Sequence, residues 1–142
     1  MVVAGVVGGL AGGLAACTNE RRIVGLNEFP VYPIDKPQAR VLNVQFVRDS
    51  STVSLTNTTA SSFDRFTIWL NQEFSYVVDG MDVGQTVEID LGAFRNHFGA
   101  AFRAGGFFAT ERPKNVVLAQ IETASDSEEL LGLVVVNGRA RR

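Results

Sequence analysis

Between Arg40 and Val136 apolar side chains recur at every second position in short runs, and that two-residue period restricts the body of the chain to strands. Leu42, Val44 and Phe46 interleave with Asn43 and Gln45, then Val53 and Leu55 with Thr52, Ser54 and Thr56. Successive side chains of a strand point to opposite faces, so each run offers one face to a core and one to water. Asp49-Ser50-Ser51 is short enough to close a hairpin between the two runs, and residues 57–62 form a polar loop. Further strands are predicted over 64–71, 73–79, 86–91, 115–122 and 130–136. About seven short strands, with no long amphipathic helix between most of them, predict an all-β antiparallel β-sandwich and disfavour a parallel α/β sheet. One interruption is helical in spacing: Leu91, Phe94, Phe98, Ala101 and Phe102. Asp90 is placed to cap its first turn and Gly105 to end its last, so a short helix is predicted near residues 91–104.

Composition agrees with a folded core. With 142 residues, 46% of them hydrophobic and 20% charged, the chain is long enough for one domain and too apolar for a disordered one. A formal charge of −2 supplies no field that would gather nucleic acid, which is not expected as a partner. The single cysteine excludes an internal disulfide and a multi-thiolate metal site, so packing alone must hold the fold.

That cysteine ends a different kind of sequence. Residues 1–16 contain only Met, Val, Ala, Gly and Leu, and the run stops at Cys17-Thr18-Asn19-Glu20-Arg21-Arg22. Spanning a bilayer takes about 20 apolar residues, so this glycine-rich stretch suits the core of a signal peptide better than a membrane helix. Its last residues, Leu14-Ala15-Ala16-Cys17, resemble the lipobox of bacterial lipoproteins. The resemblance implies a diacylglyceryl group on the Cys17 thiol, cleavage before Cys17 and acylation of the new amino terminus. The membrane would be its first partner, through that lipid. Thr18 after the cysteine implies sorting to an outer membrane, facing the periplasm. Residues 17–39, which carry Pro30, Pro33 and Pro37 and no sustained period, read as a tether, and 40–142 as the β-sandwich domain. Val31, Tyr32 and Ile34 could add an edge strand, where proline is tolerated.

Within the domain, Leu55-Thr56-Asn57-Thr58, the run from Phe66 to Asn71, and the Gly84-Gln85 turn into Val87-Glu88-Ile89-Asp90-Leu91 resemble the repeating plan of Ig-like and fibronectin-like accessory domains of bacterial envelopes. The resemblance implies a domain that binds, spaces or braces rather than catalyses, and no cofactor is expected.

Trp69 is the most informative candidate for contact with a partner. A three-residue loop Asn71-Gln72-Glu73 pairs Leu70 with Phe74, Ile68 with Tyr76 and Phe66 with Val78, leaving Trp69 on the opposite face with Val77 and Thr67. A two-residue loop would pair Trp69 with Phe74 and reverse the faces. The three-residue closure gathers the most apolar area on one side and is preferred. Trp69 and Val77 then become candidate partner-binding residues, unless the proline-rich tether or an edge strand covers the indole or it is the core tryptophan of an Ig-like fold. Phe107 and Phe108 are adjacent, and on extended chain one of two such rings protrudes, so they too are candidates for a partner or a membrane surface.

No catalytic constellation is evident. His97, the only histidine, sits on the edge of a phenylalanine stripe without a nucleophile-elbow motif. Asp79, Asp82 and Asp90 with Gly80 and Gly84, and Asp126, Glu128 and Glu129, fit no calcium-loop spacing, so no metal is expected. Asn57-Thr58-Thr59 matches a glycosylation sequon but reads as a turn, and Arg139, Arg141 and Arg142 form a basic end. The sequence therefore favours a noncatalytic lipoprotein that binds or braces an envelope protein or polysaccharide. The alternatives are a small lipid-anchored hydrolase or sugar-binding subunit using His97, Asp79 or Asp82, and a soluble domain with its apolar amino terminus buried.

Overall fold

The computed structural model describes residues 29–124 and 126–138. Cys17, the apolar run before it and the basic Arg139, Arg141 and Arg142 lie outside the described residues.

Seven strands follow in chain order: β1 (Gln38–Asp49), β2 (Thr52–Thr56), β3 (Phe66–Leu70), β4 (Phe74–Val78), β5 (Thr86–Asp90), β6 (Ala119–Glu122) and β7 (Leu130–Asn137). They form one continuous sheet in the order β4-β3-β6-β7-β1-β2-β5, curled into a half-barrel. The fold is all-β. Five of the six strand pairs are antiparallel, and β1 with β7 is parallel, so the sheet is mixed and not the purely antiparallel arrangement that the pattern suggested. A parallel neighbour needs a long crossover, and here the whole domain between the first strand and the last supplies it. Register shifts between Gln38 and Arg40 and between Val41 and Gln45 let the long β1 bend as it follows β7.

The inner face holds the core. Leu42, Val44 and Phe46 of β1, Val53 and Leu55 of β2, Phe66, Ile68 and Leu70 of β3, and Ile89, Ala119, Ile121 and Leu133 from the other strands belong to one buried cluster. Their alternation with exposed Asn43 and Gln45 is the two-residue period read from the sequence. Fully burying a Leu, Ile or Phe is worth about 1.5–3 kcal/mol, so this cluster is the dominant favourable contribution to folding. The β3–β4 hairpin closes with three residues, pairing Leu70 with Phe74, Ile68 with Tyr76 and Phe66 with Val78. Asn71 and Gln72 occupy its left-handed positions at φ 52° and 59°.

No helix forms over 91–104. The Asp90 carboxylate accepts from the Gly92 N–H, as a cap should, but the turn it starts is a single 3-10 turn, Leu91–Ala93, ended by Phe94 in extended conformation. Arg95 then pairs with Ser75 beside β4 and with Ala101 across a tight turn. Asn96 makes that turn: its Oδ1 accepts from the N–H groups of Phe98 and Ala100, and its carbonyl accepts from Gly99. Gly99 sits at φ +82°, a conformation that a side chain would strain. Leu91, Phe94 and Phe102 reach the core from this irregular chain, while Phe98 stays exposed, so the helical spacing is a coincidence of three inward residues. The strand expected over 115–122 is shorter for a related reason: Asn71 accepts from the N–H groups of Val117 and Leu118 and donates to the Asn115 carbonyl, holding that approach to β6 outside the ladder.

Candidate functional site

Trp69 is not the exposed anchor that the hairpin register suggested. It does point away from the main core, opposite Ser75 and Gln120, yet it is only 1% exposed. Residues 29–37 cover it as an irregular strap, and neither Val31, Tyr32 nor Ile34 joins a strand. The Tyr32 ring meets the indole edge-on, with centroids 5.4 Å apart, and its hydroxyl donates to Gln120 Oε1 at 2.9 Å. Gln120 in turn donates to Gln38. The indole N–H donates to Glu122 Oε2 at 3.0 Å, while the other oxygen of Glu122 accepts from Lys36. A carboxylate with a side chain 12% exposed is thus paired with both a cation and an N–H, which is what burial of charge requires. Val77 remains 40% exposed and joins Pro30, Val31, Thr67 and Arg65 around a hollow of about 370 Å³ that reaches the covered indole.

Phe107 and Phe108 both protrude, at 96% and 91% exposed. Two neighbours on extended chain would point to opposite faces, but here Ala109 N–H donates to the Gly106 carbonyl, making a turn with the two phenylalanines at its corners. Their rings meet edge-on, 5.0 Å apart.

The loop that carries them is braced at its base. Arg48 at the end of β1 donates to the carbonyls of Ala104 at 2.9 Å and Lys114 at 2.7 Å, clasping both arms, and to the Ser50 carbonyl at 3.0 Å. Burial lowers the Arg48 pKa, because loss of water penalises the guanidinium charge, and the three carbonyl dipoles oppose that penalty. Lys114 N–H donates to the Arg103 carbonyl, and Arg103 pairs with Glu111 across the arms at 3.0 Å. Gly105 closes the base at φ +82°, where a Cβ would lie 2.9 Å from Pro113.

This loop and the start of the strap share one end of the domain, as a chain of contacts demonstrates. Phe29, the first described residue, packs its ring against Gly99. The same tight turn contains Asn96, whose amide donates to Glu73; Glu73 accepts from the Lys114 ammonium at 2.6 Å, and Lys114 begins the far arm of the loop. That ammonium also lies 4.5 Å above the Phe74 ring. The Lys114 hydrogen bond holds the Glu73 carboxyl below its ordinary pKa, with Asn96 and the charges of Lys114 and His97 adding to it against desolvation.

The remaining candidates do not converge with these. His97 lies against Phe98, with ring centroids 3.6 Å apart. Asp79 and Asp82 flank an open hollow with Asp64 and Gly80, and Asp90 is used in its cap. Among the described residues no three His, Cys, Asp or Glu side chains gather as metal ligands do. Asn57 of the sequon is 1% exposed, its amide donating to Ser61 and accepting from Thr59, so it is a buried turn residue. Sequence reasoning missed Arg48 and Glu122 and placed Tyr32 only as an edge-strand candidate; their partners lie 56 to 66, 53 and 88 residues away and leave no local pattern.

Comparison with protein-family models, curated proteins and solved structures finds no match at the level of significance applied.

Proposed function

We propose that this chain is a noncatalytic lipoprotein, held to an envelope membrane by a lipid on Cys17, whose domain binds or braces an envelope protein or polysaccharide from the periplasmic side of an outer membrane. The observation that carries the reading is the junction in the sequence: sixteen uncharged residues end in Leu14-Ala15-Ala16-Cys17, and an all-β domain follows within a short stretch. One acyl chain gives marginal membrane binding and two or more give stable anchoring, which is the purpose such a modification serves. The docked strap adds support, because a segment fastened along the sheet by Tyr32 and Lys36 keeps the domain on a short leash.

The domain in this reading is an Ig-like sandwich. Support comes from the strand order: β1 lies between β7, its parallel neighbour, and β2, its antiparallel one, so β2 and β5 can act as one layer and β3, β4, β6 and β7 as the other. Immunoglobulin-type domains divide their strands in the same way.

Labelling with radioactive palmitate in a bacterial host tests the anchor. Label should enter the wild-type chain and be absent from Cys17→Ser. Equal labelling of the two, or none in either, contradicts the proposal. Crosslinking in the same cells should then capture a stable envelope partner of the labelled protein.

A further inference from the structure

We infer that the loop from Arg103 to Lys114 is a membrane-docking element, inserting Phe107 and Phe108 into the interface of the bilayer to which Cys17 is attached. The inference rests on the anchored reading above and names a surface for it. Three observations carry it.

The first is the construction of the loop. A turn with an aromatic ring at each of its two corners leaves both almost wholly in water, where about 25 cal/mol is forgone for every Å² of apolar surface. Yet the base is held by the Arg48 clasp, the Arg103–Glu111 pair and the Lys114–Glu73 pair. Rings that merely lacked a place in the core would have no need of so braced a support; rings presented to a partner do, since a rigid arm loses little freedom on binding.

The second is position. The chain coming from Cys17 reaches the domain at Phe29, against Gly99, and the contacts through Asn96, Glu73 and Lys114 place that point at the same end as the loop. Eleven residues lie between Cys17 and Phe29, twelve Cα steps with a reach of at most about 43 Å when fully extended. A tether of that reach, arriving at this end, can bring the phenylalanines to the lipid surface.

The third is charge. Between Arg103 and Lys114 the loop carries Arg103, Arg112 and Lys114; Glu111 pairs with Arg103 and Glu73 with Lys114, which leaves the charge of Arg112 uncompensated beside the two rings in a chain that is negative overall. Anionic headgroups complement that arrangement, and apolar insertion with flanking basic residues is how peripheral segments hold an interface.

The test places a reporter at the tip. In the full chain, purified as the cell makes it and reconstituted into vesicles of phosphatidylethanolamine and phosphatidylglycerol, Phe108→Trp should emit at shorter wavelength than in detergent-free buffer and be quenched by brominated lipids. Trp69, buried beneath Tyr32, should show neither change in the wild type. Replacing phosphatidylglycerol by phosphatidylcholine should weaken the quenching. If the protein is acylated and vesicle-bound but the new tryptophan stays water-exposed, docking by the loop is overturned while the anchor stands. If the shift requires vesicles yet Cys17 carries a free thiol, the loop inserts without the anchor, and the lipoprotein reading falls instead. A shift that grows with protein concentration without lipid would identify a second copy as the occupant and overturn the inference.

Discussion

At the scale of single residues, the structure depends on a few polar side chains that work at long range. Asn57 is buried at the turn after β2, where its amide satisfies Ser61 and Thr59 while its own backbone bonds Gln85 and Gly84. Removing it takes the shared acceptor from the half-buried Thr59 N–H and hydroxyl and empties the fully buried site of the amide. Asn57→Ala should therefore lower stability by about 1–2 kcal/mol in urea unfolding, with little change in the slope of the transition. Glu73 sets a pH dependence. Its folded pKa is depressed, chiefly by the Lys114 hydrogen bond, so its stabilising contribution is full above the unfolded pKa and fades as pH falls through the folded one. Glu73→Gln should accordingly flatten the acid side of the stability profile, from the ordinary glutamate range downward, measured by denaturation at each pH. The side chain is 42% exposed, so the change should be modest.

At the scale of elements, the strap and the loop are each held by a small number of contacts that can be cut singly. Tyr32→Ala removes both the edge-on ring over Trp69 and the bond to Gln120. Trp69 emission should move to longer wavelength and become accessible to acrylamide, while the far-ultraviolet circular dichroism of the sheet is kept. Arg48→Ala should raise hydrogen exchange across residues 103–115 well above that of the strands, at a global cost of about 1–3 kcal/mol, because both arms of the loop lose their shared donor. These elements also mark where sequence reading succeeds and where it stops. The hairpin register was legible, since only one closure put Phe66, Ile68, Leu70, Phe74, Tyr76 and Val78 together. Cover of Trp69 by the tether was among the readings, but the residue that makes it was not legible, because the strap has no period and Tyr32 is chosen by a groove that exists only after β3 and β6 pair. The helix over 91–104 was misread because spacing reports which residues face inward and not how the backbone gets them there. Asn96 and Gly99, both turn formers, were the local signal against it.

For the whole molecule, the two-residue period foretold an all-β body and seven strands but could not choose their neighbours. Burial of one face is satisfied by many strand orders, and the parallel contact of β1 with β7 is decided by the closure of the whole sheet. That closure brings the β3–β4 turn, the braced loop and the arrival of the chain at Phe29 to one end. What the end is for depends on whether Cys17 carries a lipid. Mass spectrometry of the native protein's amino-terminal peptide measures this directly. The account predicts a peptide that begins at Cys17 and carries acyl chains on its thiol and amine. An unmodified Cys17 within a peptide continuous with residues 1–16 would contradict it.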